Sequence, residues 1–153
     1  MPRPTSKFIA RTLALAAVFC LIRAAAAQEI PAGALFPLTD VAVLDGDTIR
    51  ADVRLPYSIT LEDREIRAAD YDAAESSRRR KTVKVTDEEI VRGKAATAAL
   101  KELLAREPRL FVQPPTGKGQ DVYGRLLGTF YVWRRDGTWL PLADFMRQGG
   151  FLR

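Results

Sequence analysis

Three short segments carry the residues with chemical capability. Asp45-Gly46-Asp47-Thr48 places two carboxylates around a glycine, Arg67 is followed by Asp72 and Glu75, and Asp121 precedes Tyr123-Gly124-Arg125. The sequence contains no histidine and one cysteine, Cys20. Metal binding therefore falls to carboxylate and carbonyl oxygens, the ligand set of calcium or magnesium, and thiol or imidazole chemistry is excluded from the region beyond Cys20. Carboxylates that hold a hard cation and activate water, with arginines placed where negative charge grows, are the parts that phosphodiester hydrolysis needs. Each segment alone also has a plain structural reading: a tight turn between strands, an ion pair beside a helix start, and the opening of a strand.

The elements that must position these residues are mainly strands. Val41 to Leu44 is an apolar run, and Ile49, Ala51, Val53 and Leu55 then alternate with Arg50, Asp52 and Arg54. A third strand is expected beyond Pro56 with Tyr57, Ile59 and Leu61 on one face. A polar turn near Glu62 to Arg64 separates it from an extended piece at Ile66-Arg67-Ala68, and two of these pieces count as one if Pro56 marks only a bend. A helix is predicted from Thr86 to Arg106, opened by the capping-box pair Thr86 and Glu89 and stopped by Pro108. Val91, Ala95, Ala98, Ala99 and Leu103 are expected on its buried side, with Lys94, Thr97 and Lys101 opposite. Leu110 to Val112 and Leu126 to Trp133 supply later strands, Asp136-Gly137 a hairpin turn, and Leu142 to Gln148 a short helix. Phe130, Tyr131, Trp133 and Trp139 are assigned to core packing, as is Tyr71. The fold class is mainly β with α: a five-stranded Greek-key barrel of the OB type with one long and one short packed helix.

Arg3, Lys7 and Arg11 precede an apolar run from Leu13 to Ile22 and a small-residue stretch ending at Ala27, the pattern of a secretory leader over residues 1–27. That run is shorter than the roughly 20 residues a membrane span requires, so no stable membrane association is expected after cleavage. The expected location is periplasmic or secreted. Residues 28–39 read as an extended lead-in, and 40–153 as one domain, expected to be a monomer. Four of the 24 Lys and Arg (Arg3, Lys7, Arg11 and Arg23) lie in the leader, which leaves 20 against 19 acidic residues. A global basic field is thereby ruled out, and phosphate attraction must come from local groups such as Arg78-Arg79-Arg80-Lys81.

Taken together and in order, these segments resemble the staphylococcal nuclease family across nearly all of the chain beyond the leader. The resemblance rests on Asp45-Gly46-Asp47-Thr48, on Arg67 with Asp72 and Glu75, on Asp121-Val122-Tyr123-Gly124-Arg125, and on Arg147-Gln148-Gly149 at a helix end. It implies a calcium-dependent nuclease that acts on DNA, RNA or both and leaves 3′-phosphate ends. It also implies that Asp47, Asp72 and the Ala73 carbonyl bind Ca²⁺, with Asp45 supporting them, that Arg67 and Arg125 clamp the phosphate, and that Glu75 is the general base. Tyr123 is then a substrate contact. The chain departs from the family at Ala73-Ala74, where a proline usually stands second, at Asp70, an added acid, and at Val122, often basic in the family. The family's tyrosine-bearing continuation beyond Gly149 has no counterpart in these residues, which predicts weak substrate binding unless the basic insertion at 76–84 compensates. The alternative is a barrel without catalysis that binds nucleic acid or serves the cell envelope.

Overall fold

The computed structural model describes residues 32–77 and 85–153. The leader and the Arg78 to Lys81 cluster lie outside them. The alternating apolar pattern forms β1 (Phe36–Asp45), β2 (Thr48–Arg54), β3 (Thr60–Ala68), β4 (Leu110–Gln113), β5 (Leu126–Trp133) and β6 (Trp139–Pro141). Two helices, α1 (Asp87–Arg106) and α2 (Leu142–Gln148), complete the described elements together with a 3₁₀ turn at Pro56–Ser58.

Strands β3, β2, β1, β4 and β5 are neighbours in that order, and β5 returns to pair in parallel with β3 through Ile66↔Leu126, Arg67↔Leu127 and Ala68↔Gly128. The five strands therefore close into a mixed barrel, which removes the free edges that an open sheet would expose. The short β6 pairs outside this ring with β5, through Trp133↔Trp139. Ile49, Ala51 and Val53 of β2, Ile66 of β3, Leu110 and Val112 of β4, and Phe130 and Val132 of β5 point inward, where Leu100 of α1 and Leu142 and Met146 of α2 cover them. Phe130 is the largest wholly buried side chain among the described residues. Phe130→Ala is expected to cost about 3–5 kcal/mol of stability, from lost transfer energy and the cavity left behind, as measured by urea unfolding.

Several expectations change in detail. Among the described residues regular structure starts at Phe36, because Phe36 and Pro37 pair with Val112 and Phe111 of β4. Pro56 opens the turn between β2 and β3, closed by the Leu55 amide on the Ile59 carbonyl at 2.9 Å. The polar stretch Glu62 to Arg64 does not break β3, because a register shift against β2 absorbs the extra residue. The buried face of α1 is Gly93, Ala96 and Leu100, while Val91 is 68% exposed. Only Phe130 of the four aromatics is core. Tyr131, Trp133 and Trp139 lie half-buried on the outer face and pack edge-on, with Trp133 and Trp139 centroids 4.7 Å apart.

Candidate active site

The turn from β1 into β2 is tied down on three sides. The Gly46 amide donates to Asp45 Oδ1 at 2.8 Å, and Thr97 Oγ1 on α1 lies 3.4 Å from the same oxygen. The buried Tyr71 hydroxyl donates to the Gly46 carbonyl at 3.2 Å, and the Ala68 amide donates to the Asp47 carbonyl at 2.8 Å. So anchored, the turn sends the Asp47 side chain inward, to 5% exposure.

The Asp47 carboxylate is fully engaged. Oδ1 accepts from Thr48 Oγ1 at 2.9 Å and from Arg67 Nη1 at 3.0 Å, and Oδ2 accepts from the Ala73 amide at 3.3 Å and pairs with Arg67 Nη2 at 2.9 Å. The guanidinium of Arg67 thus meets Asp47 with both of its terminal nitrogens, the fork geometry that lysine cannot copy. Nη2 also pairs with Asp72 Oδ1. Burial pushes the Asp47 carboxyl above its usual range, against the pull of Arg67, the Thr48 hydroxyl and the Ala73 amide, and the Asp72 charge pushes the same way as burial.

One nitrogen that touches both Asp47 and Asp72 shows that their carboxylates converge within the reach of one small cation. Both supply hard oxygen ligands, so the pair fits a Ca²⁺ or Mg²⁺ ion. No group of three or more His, Cys, Asp or Glu converges among the described residues, so any further ligands would be backbone oxygen or water. Asp70, the added acid, is also raised by burial, then lowered by Arg147 and raised by Asp144, so its charged neighbours are on α2.

Glu75 follows three residues after Asp72, and its Oε1 lies 3.5 Å from Arg153 Nη1. Arg125 and Tyr123 form a second cluster. Asp121 Oδ2 accepts from Arg125 Nε at 2.7 Å, while Oδ1 accepts from the Tyr123 and Arg125 amides at 2.9 and 3.0 Å. The Arg125 guanidinium stands 5.5 Å from the centre of the Tyr123 ring, which is 76% exposed. Arg125 directly precedes β5, whose Leu127 pairs with Arg67 across the β3–β5 seam, and it is held by its own loop.

For Asp121, burial raises the carboxyl, but the Arg125 side chain and the Tyr123 and Arg125 amides outweigh it and hold the carboxyl below its ordinary 3.8. A depressed acid stabilises the folded loop above the unfolded value, and that contribution is lost as pH falls through the lowered one. The Asp121 carboxyl carbon resonance is therefore expected to titrate with a midpoint below 3.8. A midpoint at or above that value would show that Asp121 does not hold Arg125.

The structure thus joins Asp47, Arg67, Asp72 and Ala73 directly, sets Asp45 behind them on Thr97, carries Glu75 on the loop of Asp72, and holds the Arg125–Tyr123 pair as a separate cluster at the start of β5. Compared with models of known protein families and with curated proteins, the chain matches none. Sequence reasoning missed Thr97, Glu89, Gly93 and Arg153. The pattern of apolar residues places Thr97 on the solvent side of α1. Glu89 has the spacing of half of a capping box, of which the Thr86 half is present, with Oγ1 accepting the Glu89 amide at 3.2 Å. The Glu89 carboxylate Oε1 lies 3.3 Å from Arg153 Nε. Neither Gly93 nor Arg153 carries a local signal of its role, which depends on segments far away in the chain.

Proposed function

We propose that the chain is an exported, calcium-dependent phosphodiesterase of the staphylococcal nuclease type, built on an OB-type barrel and acting on DNA, RNA or both as a monomer. The observation that carries this reading is the convergence of Asp47, Arg67 and Asp72. Two carboxylates and a forked guanidinium from a turn, a strand and a loop meet at one end of a closed barrel, with the Asp47 carboxylate buried. Asp47, Asp72 and the Ala73 carbonyl would hold Ca²⁺, which supplies charge neutralisation at the phosphate and a more acidic attacking water. Asp45 shapes the turn that presents Asp47. Arg67 and Arg125 bind the non-bridging phosphate oxygens and stabilise the charge that grows on them. Glu75 takes the proton of the attacking water. The 5′-oxygen leaves, the phosphate stays on the 3′ side, and Tyr123 offers a ring to the adjacent nucleotide.

A second reading, a barrel that binds nucleic acid or serves the envelope without cutting, is favoured by one observation. Arg125 is held by Asp121, so it must change partner to act. The deciding experiment incubates residues 28–153 with single- and double-stranded DNA and RNA in Ca²⁺ or EGTA, beside Glu75→Ser and Arg125→Ala. Calcium-dependent cutting to 3′-phosphate ends, lost in both variants, is the expected result. Nucleic-acid binding without cutting by the wild type would select the second reading.

A further inference from the structure

The loop that carries Asp72, Ala73 and Glu75 is held by a segment distant in the chain. Phe151 to Arg153 runs antiparallel beside it: Ala73 and Leu152 are bridge partners, the Ala74 amide donates to the Phe151 carbonyl at 2.9 Å, and the Arg153 amide donates to the Asp72 carbonyl at 3.0 Å. The Phe151 ring packs against Phe145 of α2 at 6.4 Å between centroids, which fixes this segment to the barrel's helical layer. The Arg153 side chain then turns back between two acids, with Nη1 3.5 Å from Glu75 Oε1 and Nε 3.3 Å from Glu89 Oε1. The three side chains are only 28%, 21% and 13% exposed, so the pairing is sheltered from the screening that makes surface ion pairs weak. Glu89 Oε1 is buried without a hydrogen bond, so Arg153 serves it as a neighbouring charge and not as an aligned donor.

We propose that Arg153 is a positioning residue for Glu75: anchored to Glu89 on α1 and through its own amide to Asp72, it fixes where the Glu75 carboxylate stands relative to the Asp47–Asp72 pair. This rests on the reading of Glu75 as the general base. The physical need arises at Ala73-Ala74, where the loop has no proline to restrict its backbone. Its order must come from contacts, and Phe151 to Arg153 supplies two backbone hydrogen bonds and one forked cation. A glutamate has several rotamers of similar energy, and a guanidinium held at both ends narrows that choice.

The test measures kcat and KM on single-stranded DNA with Ca²⁺ for the wild type, Arg153→Met, Arg153→Lys, Glu75→Gln and the double variant Glu75→Gln/Arg153→Met. Amide exchange at Ala74 is followed in the same proteins without substrate. Arg153→Met is expected to lower kcat by about 10- to 100-fold with little change in KM and to speed Ala74 exchange. Arg153→Lys should recover part of the rate, because it keeps the charge but not the fork. In the Glu75→Gln background Arg153→Met should cost nothing more, a non-additivity that a purely structural residue would not show. A wild-type kcat in Arg153→Met, or an equal loss with and without Glu75, overturns the proposal. If the wild type does not cut, the general-base reading fails separately. Exchange at Ala74 then decides: faster exchange in Arg153→Met supports Arg153 as the residue that orders the loop, and unchanged exchange refutes it.

Discussion

Arg67→Ala is expected to lower DNA cleavage by about 1,000-fold and, in EGTA, to cost the fold about 3 kcal/mol, part of which Ca²⁺ should restore. The two effects have separate causes. The loss of rate follows from removing a forked donor aimed at the growing charge of the phosphate. The loss of stability follows from the Asp47 environment: this carboxylate is nearly inaccessible, and its two charge-bearing contacts are with Arg67 Nη1 and Nη2 at 3.0 and 2.9 Å. Removing the guanidinium leaves a buried anion beside Asp72, another carboxylate, and breaking one half of a buried pair is costly for that reason. A divalent cation between the two carboxylates would replace the lost charge. Melting curves of Arg67→Ala should therefore shift more with Ca²⁺ than those of the wild type, whose carboxylates already share Arg67. Arg67→Lys separates charge from geometry, since it should keep most of the stability yet still lose about 100-fold in rate. A variant that melts as the wild type does in EGTA would refute the electrostatic account of Asp47. A variant with wild-type cleavage would remove Arg67 from the phosphate clamp.

How much of this was legible in the sequence follows from how local each signal is. Period-two alternation from Ile49 onward depends only on neighbours, and β2 carries the expected inward residues Ile49, Ala51 and Val53; Leu126 to Trp133 is a strand as expected, but of its aromatics only Phe130 points inward. The short helix at Leu142–Gln148 was placed to the residue. Barrel closure was inferred from economy of burial, but the parallel β3–β5 seam that achieves it has no local signature, because parallel pairing joins segments far apart in the chain. The face of α1 was misjudged for a related reason. Counting apolar residues favours Val91, Ala95 and Ala98, whereas the observed face is chosen by what lies opposite, a backbone that only Gly93 and Ala96 can approach. Asp45, Asp47, Arg67 and Asp72 were found as residue types at particular spacings. The convergence of Asp47 and Asp72 on the Arg67 guanidinium required the turn at Gly46 and the end of β3 to be brought together in three dimensions. The Phe151 to Arg153 contact with Asp72 to Glu75 spans just over half the chain and could not have been read from either segment.

Gly93→Ala sets two opposing effects against each other, and the outcome bears on both fold and site. Glycine in a helix interior costs about 1 kcal/mol relative to alanine, so helix propensity alone predicts a gain. Here α1 approaches the loop so closely that a Cβ on Gly93 would stand 2.4 Å from the Glu75 carbonyl carbon and oxygen and 2.5 Å from the Ala74 carbonyl oxygen. These are backbone atoms, and the same loop is fixed on its other side by the Phe151 and Arg153 hydrogen bonds, so it cannot yield as the tip of a flexible side chain would. Overpacking of this kind costs about 1–3 kcal/mol, and the strain exceeds the propensity gain, giving a net loss expected at about 1–2 kcal/mol. The larger effect should be on rate. Relief of the contact requires the helix or the Glu75 backbone to move by about an ångström, enough to cost about 100-fold where a base must meet an attacking water. Ala95→Gly is the matched control: Ala95 is exposed on the same helix, so the change should cost about 1 kcal/mol of stability with cleavage unchanged. Equal stability losses with unequal rates would identify placement of Glu75 as the role of Gly93. If Gly93→Ala instead gains stability and keeps its rate, the loop accommodates the methyl group and the close approach of α1 does not set the position of Glu75.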